Sequence, residues 1–90
     1  MARIIHPDGI EEIVHPKTGT TFSLEELQKF VGGYIERVPT PSMDRDIDCV
    51  VDEEGLMKQL PMNRKASNLV GGGQMIVGPM VILRGKERLV

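Results

Sequence analysis

Apolar residues recur at three- and four-residue intervals most plainly at Leu24, Leu27, Phe30 and Val31. That period predicts an amphipathic helix with one buried stripe. Its start is marked by Ser23 followed three residues later by Glu26, a capping box in which each side chain satisfies an orphan amide of the other. Phe22 before the cap and Leu27 five residues on have the spacing of a hydrophobic staple. Glu25 and Glu26 lie at the positive end of the helix dipole and Lys29 near its negative end. Gly32-Gly33 supplies the left-handed backbone that ends the helix, which therefore spans residues 23–31. At about nine residues it is too short to be stable alone, so it must pack on something.

Elsewhere the pattern shortens to alternating or continuous apolar runs bounded by turn residues, which predicts strands. Arg3–His6 and Glu11–His15 flank Pro7-Asp8-Gly9 and form an N-terminal hairpin within residues 1–15. Tyr34–Val38 is a strand leading out of Gly32-Gly33, followed by a Pro39–Ser42 loop. Ile47–Val51 and Leu56–Leu60 flank an Asp52–Gly55 turn and read as a second hairpin, so residues 34–60 supply the central strands. Asn63 is placed as the N-cap of a short helix over residues 63–70, ended by Gly71-Gly72-Gly73. Gln74–Val77 and Met80–Leu83 form a C-terminal strand region over residues 74–83. There Pro79 demands either an edge bulge or a tight bend. The expectation is a single domain over residues 1–90 of the α+β class: a small, mostly antiparallel sheet, one amphipathic helix on one face, and a short second helix.

Composition makes that core lean. The 90 residues include no Trp, one Tyr, two Phe and six Met, and a chain of this length is marginally stable by itself. A homo-oligomer, dimer or tetramer, is the expected supplement. The lone Cys49 excludes an intrachain disulfide or a thiolate-rich metal site, and a cytoplasmic setting is expected. No stretch is long and apolar enough for a membrane span, and no signal-peptide core is visible. The formal charge of −2 hides an asymmetry. Residues 1–54 carry twelve acidic and five basic side chains, whereas residues 55–90 carry six basic ones and only Glu87 as an acid. Either the second half faces an anion, or the halves neutralise each other in space.

Chemistry is sparse. His6 and His15 precede prolines at strand ends with no third ligand in view, and read as turn residues rather than metal ligands. Asp44, Asp46 and Asp48 lack the Gly and terminal Glu of a calcium loop, and read as charges that protect an edge. Cys49 has acidic neighbours and reads as a core residue. No catalytic set, metal or cofactor is expected, and neither a DNA-binding helix nor an aromatic stacking platform is present. One constellation remains. Asn63, Arg64, Lys65, Ser67 and Asn68 surround a short helix start, and the bare backbone of Gly72 and Gly73 follows. Amides, cations and amide side chains together suit a phosphate-bearing ligand with base or sugar edges. Tyr34 is the candidate for stacking.

The run Leu24–Glu36 resembles the leading signature of a family of small proteins from phages, prophages and mobile elements, catalogued as a domain of unknown function. Val51–Leu56, Leu60–Ala66 and Ile76-Val77-Gly78 are similar to its other motifs, in the same order. The loop after Asn63 departs from the family pattern, with Lys65-Ala66-Ser67-Asn68 and three glycines where an acidic insert is usual. The resemblance implies a phage-borne accessory protein in the host cytoplasm. By analogy with small oligomeric phage proteins, it implies a non-enzymatic anti-defence sponge that sequesters a cyclic di- or oligonucleotide. The alternative is an interaction module whose acidic first half blocks a host protein such as a DNA-acting enzyme. A hydrolase would require a metal.

Overall fold

The computed structural model describes residues 1–88. Five strands form one sheet: β1 (Ala2–Ile5), β2 (Glu11–Val14), β3 (Ile35–Val38), β4 (Ile47–Asp52) and β5 (Met80–Arg84). Two helices, α1 (Leu24–Val31) and α2 (Arg64–Val70), and a 3-10 turn at Gly85–Glu87 complete the elements of the described residues. The sheet order is β2-β1-β5-β4-β3, with every paired neighbour antiparallel. The last strand in sequence thus lies in the middle, joining the N-terminal hairpin to the β3–β4 pair. This is the expected α+β class.

The α1 signals act as the sequence dictates. Ser23 Oγ accepts the Glu26 amide at 3.1 Å while Glu26 Oε1 accepts the Ser23 amide at 3.0 Å. Gly32 closes the helix at φ 89°, donating its N–H to the Gln28 carbonyl. Phe22 and Phe30 meet edge-on, their ring centres 5.9 Å apart, over the buried Leu27 and Val31. Truncating Leu27 to Ala would cost about 3 kcal/mol, the usual loss for a fully buried Leu.

The sheet is covered on both faces. Ala2, Ile4, Val50, Val81 and Leu83 point to α1, meeting Leu27 and Val31. Ile5, Cys49, Val51, Met80 and Ile82 point the other way and pack on Ala66 and Val70 of α2 and on Ile76. Period-two alternation sets these two groups. Double coverage explains why Cys49-Val50-Val51 and Val81-Ile82-Leu83 are unbroken apolar runs in an antiparallel sheet. It also corrects the reading of Asp48 as edge protection. β4 is internal, and the Asp48 side chain is only 6% exposed on the α1 face, within 3.5 Å of Arg88 Nε and 3.9 Å of Arg37 Nη2.

Leu56–Leu60 is not a strand, a departure from the expected second hairpin. β4 already pairs with β3 on one side and β5 on the other, so no ladder position is left for a return strand. The chain instead coils through successive turns, with Gly55 and Lys58 donating to the Asp52 and Glu54 carbonyls and Gln59 at φ 58°. Asp52 organises this coil, accepting the Glu54 amide at 2.9 Å and Lys58 Nζ at 2.7 Å. Gln74–Val77 also stays outside the sheet, bridging back to Met62 through Val77. Gly78, at φ 72°, and Pro79 make the tight bend that feeds β5.

Candidate functional site

The polar groups that the sequence gathers around α2 are mostly consumed by the fold. Asn63 is fully buried. Its Nδ2 donates to the carbonyls of Ile5 and Gly78, both at 2.8 Å, and its Oδ1 accepts the Ala66 amide at 3.1 Å. The side chain therefore caps α2 and ties the ends of β1 and the Gly78 bend together, leaving nothing for a base or sugar edge. Ser67 Oγ donates to the Asn63 carbonyl and accepts the Ile76 amide, each at 2.8 Å. Lys65 Nζ forms an ion pair with Glu11 of β2, which also accepts Arg3 Nη1 at 2.8 Å. The Lys65 ammonium, aided by Arg3, holds the Glu11 carboxyl below its ordinary pKa.

Arg64, Asn68, Gly72 and Gly73 remain exposed. The glycines have φ of 70° and 72°, and the loop is stapled down where Gln74 Nε2 donates to the Pro39 and Gly71 carbonyls. Tyr34 is 67% exposed, at the start of β3. Among the cavities on the surface are three that none of the eight residues predicted as ligand-binding lines.

Two of those cavities flank α1 or the chain ends. A groove of about 880 Å³ runs between α1 and the exit of β2, with Val14 and Phe30 as apolar wall and His15, Lys17 and Lys29 as basic groups. Glu26, also on this wall, is held by the Ser23 and Lys17 amides, and the Ser23 amide bond foremost lowers its pKa. A shallower hollow of about 430 Å³ lies between His15 and Arg84.

The third cavity, about 260 Å³, sits beside the outer strand β3 on the α2 side. Val38, Val51, Leu56, Met75, Ile76 and Val77 supply the apolar part of its lining, and Glu36, Arg37, Asp52 and Glu53 the charged part. Gly55 makes this geometry possible. A Cβ there would come within 2.9 Å of Val77 Cγ2, so only glycine lets the Asp52–Leu60 coil press on the Val77 loop. Two of the apolar side chains that line the cavity stay largely in solvent, Leu56 at 67% and Met75 at 58% exposed, and Met57, next in the chain after Leu56, is 80% exposed. Single exposed hydrophobics are ordinary, but a group clustered at one cavity mouth marks a contact surface. Sequence reasoning missed it because it read Leu56–Leu60 as half of a hairpin. The available signal was Leu56-Met57, an apolar pair directly after the Glu53-Glu54-Gly55 turn.

Reactive groups are few. Burial first, and then the Asp48 charge, push the Cys49 thiol up to about 11, and its Sγ lies 3.7 Å from Met43 Sδ. His6 Nε2 lies 3.0 Å from Glu12 Oε1. No group of three or more metal-ligating side chains occurs among the described residues. Among these residues, no helix is long and apolar enough to cross a membrane.

The chain belongs to the family described as domain of unknown function DUF3846, whose profile matches residues 3–88. No curated protein and no solved structure matches it.

Proposed function

We propose that this DUF3846 protein is a non-catalytic interaction module that covers a basic, partly apolar surface on another protein. The observation that carries this reading is that Leu56 and Met75 stay largely in solvent on the lining of a cavity that Glu36 and Glu53 also line. Apolar side chains at the centre and carboxylates at the margin are the two elements of a protein-binding patch: desolvation supplies affinity, and charge steers the partner. In the setting that the family resemblance implies, a phage-borne protein in its host's cytoplasm, the partner is a host protein with a cationic working surface.

The cyclic-nucleotide reading ranks second. It keeps Arg64, Asn68 and the Gly72-Gly73 backbone as exposed groups, but Asn63, Ser67 and Lys65 already hold internal partners.

Co-purification from host cells producing the wild type or a Leu56→Asp/Met75→Asp variant tests the proposal. A partner that elutes with salt and is missing from the variant supports it. If every co-purifying protein is retained by the variant, the surface assignment fails. Calorimetry with a panel of cyclic dinucleotides, with Arg64→Ala as control, tests the second reading. Heat that vanishes in Arg64→Ala would reverse the ranking.

A further inference from the structure

β3 is an outer strand, and its ladder with β4 determines which of its backbone groups are free. Glu53 donates its N–H to the Tyr34 carbonyl at 2.8 Å, so Tyr34 and Glu53 are a hydrogen-bonded pair. In an antiparallel ladder such pairs alternate with non-bonded ones. The register Ile35↔Asp52, Glu36↔Val51, Arg37↔Val50 and Val38↔Cys49 then turns Glu36 and Val38 inward to β4. The N–H and C=O groups of Ile35 and Arg37 point outward, and no turn or loop hydrogen bond among the described residues takes them up. These four groups form an open edge directly beside the 260 Å³ cavity, on whose wall Val38 and Val51 lie.

We propose that β3 receives an added β-strand: an extended segment of a partner protein pairs with Ile35 and Arg37, and sets one apolar side chain into the cavity. This rests on the interaction-module reading and names how that surface binds. Main-chain pairing supplies affinity, and the pocket for alternate side chains supplies selectivity. On an added strand, residues two apart share a face. An apolar residue seated against Val38, Val51 and Met75 therefore places the residue two positions away near Glu36. A basic residue is favoured there. The recognised segment is an alternating one, apolar then basic at every second position on one face.

Charge selects a foreign segment over a second copy of the chain. Two-fold antiparallel pairing of β3 with itself in the two central registers sets Glu36 against Glu36 or Arg37 against Arg37, and like charges directly opposite are destabilising. The other outer strand, β2, is a poorer acceptor. Glu11 and Glu12 lie along it, and Glu11 is bound by Arg3 and Lys65. No β2 residue lines the 260 Å³ cavity that would seat the segment's apolar side chain.

The probe is a synthetic ten-residue peptide of alternating Leu and Lys on one face and Thr on the other, with a Leu/Glu version as control. Binding is read by fluorescence anisotropy, and the backbone by amide hydrogen exchange of the full chain. The Leu/Lys peptide is expected to bind at least tenfold more tightly than the Leu/Glu peptide. It should also slow exchange at the Ile35 and Arg37 amides at least tenfold. Arg37→Pro removes an outward N–H without touching the β4 ladder, and is expected to abolish the protection and weaken binding at least tenfold. Met75→Glu puts a charge on the cavity lining where an apolar side chain is to be seated and is expected to do the same without altering β3, which keeps the test decisive if the proline variant unfolds. Equal binding of the two peptides, or binding unaffected by Met75→Glu, overturns the proposal. Concentration-dependent protection of Ile35 and Arg37 without peptide overturns it in favour of a second copy. Peptide binding that is lost in Met75→Glu but leaves the β3 amides unprotected overturns strand addition while sparing the interaction surface. Loss of the surface itself is read separately, by the co-purification of the Leu56→Asp/Met75→Asp variant.

Discussion

The α2 segment and the β3 margin are opposites. Around α2 the sequence is rich in amides, hydroxyls and cations, yet Asn63, Ser67 and Lys65 point inward or across to partners within the chain. Around β3 the sequence looks ordinary, yet Leu56, Met57 and Met75 stay in solvent and a strand edge is left open. A 90-residue chain with so little aromatic mass closes its core partly with buried polar links, and these take the side chains that resemble ligand groups. Near the outer strand β3, by contrast, the fold leaves the large apolar side chains of Leu56 and Met75 in solvent. In so small a protein, polar composition is therefore a weak guide to which side chains stay accessible.

The largest effect that sharpens this contrast is expected at Asn63. Asn63→Ala removes three hydrogen bonds, taking a donor from the Ile5 and Gly78 carbonyls and the acceptor from the buried Ala66 amide. An unsatisfied buried group costs about 1–3 kcal/mol, so a loss of about 3 kcal/mol is expected in denaturant unfolding. A change below about 0.5 kcal/mol would mean that Asn63 is free after all, and would make α2 a ligand site again.

The triple glycine comes next, because its members do different work. Gly71 has φ 76° and ψ −167°, a backbone region that side chains do not adopt, and a Cβ there would sit 2.7 Å from Ser42 Cβ. Gly71→Ala is expected to cost about 2–3 kcal/mol from strain and crowding together. At Gly73, with φ 72°, a Cβ would meet nothing within 4 Å, so substitution carries only the left-handed penalty of about 1 kcal/mol. Thermal unfolding of the two variants separates them. Equal costs would show that the loop is not seated on Ser42, and that its backbone is as open as the bare glycines suggest.

Smaller again is the acid response of the coil that presents Leu56 and Met57. Burial raises the Asp52 pKa, but Lys58 Nζ and the Glu54 amide outweigh it, so the carboxyl titrates below its ordinary value. A lowered folded pKa contributes stability that is complete above the ordinary carboxyl pKa of about 4 and is lost as pH falls through the folded value. Lys58, raised chiefly by its bond to Asp52, behaves in the mirror sense: its contribution holds below about pH 10 and is lost as pH rises through its folded pKa. Asp52→Asn should flatten the acid limb of a stability–pH curve without abolishing it, because Glu11 and Glu26 are lowered too. An unchanged acid limb would show that the pair does not anchor the coil.

Much of the fold was legible because local signals agreed with one another. The Ser23–Glu26 box, the Gly32 exit, the Pro7–Gly9 turn and the Asn63 cap each specify a local conformation, and each is found. What was not legible depended on sheet order. Nothing near Leu56–Leu60 says that β5, which begins only at Met80, already occupies the free side of β4. The same long-range pairing puts Asp48 inside and opens β3 to solvent. The pattern around Asn63 identifies the cap but not its burial, because a cap's exposure depends on what packs over it. Its role as a ligand-accessible group fails for that reason.

The smallest expected effect is the one that separates the two regions most cleanly. Leu56→Ser and Met75→Ser, singly or together, should change unfolding free energy by no more than about 0.5 kcal/mol, the range for substitutions at exposed positions. An exposed side chain already meets water in the folded state, so its truncation forfeits little burial. Were either change to cost as much as a core truncation, about 2 kcal/mol or more, the side chain would be shielded in solution. For a single chain with Leu56 67% and Met75 58% exposed, that shield would have to be another copy. A cost that grows with protein concentration would identify it, because a subunit interface couples stability to concentration and a monomer's core does not. A near-zero cost joined to lost partner binding is the result that a free, working surface requires, and Asn63→Ala should give the reverse.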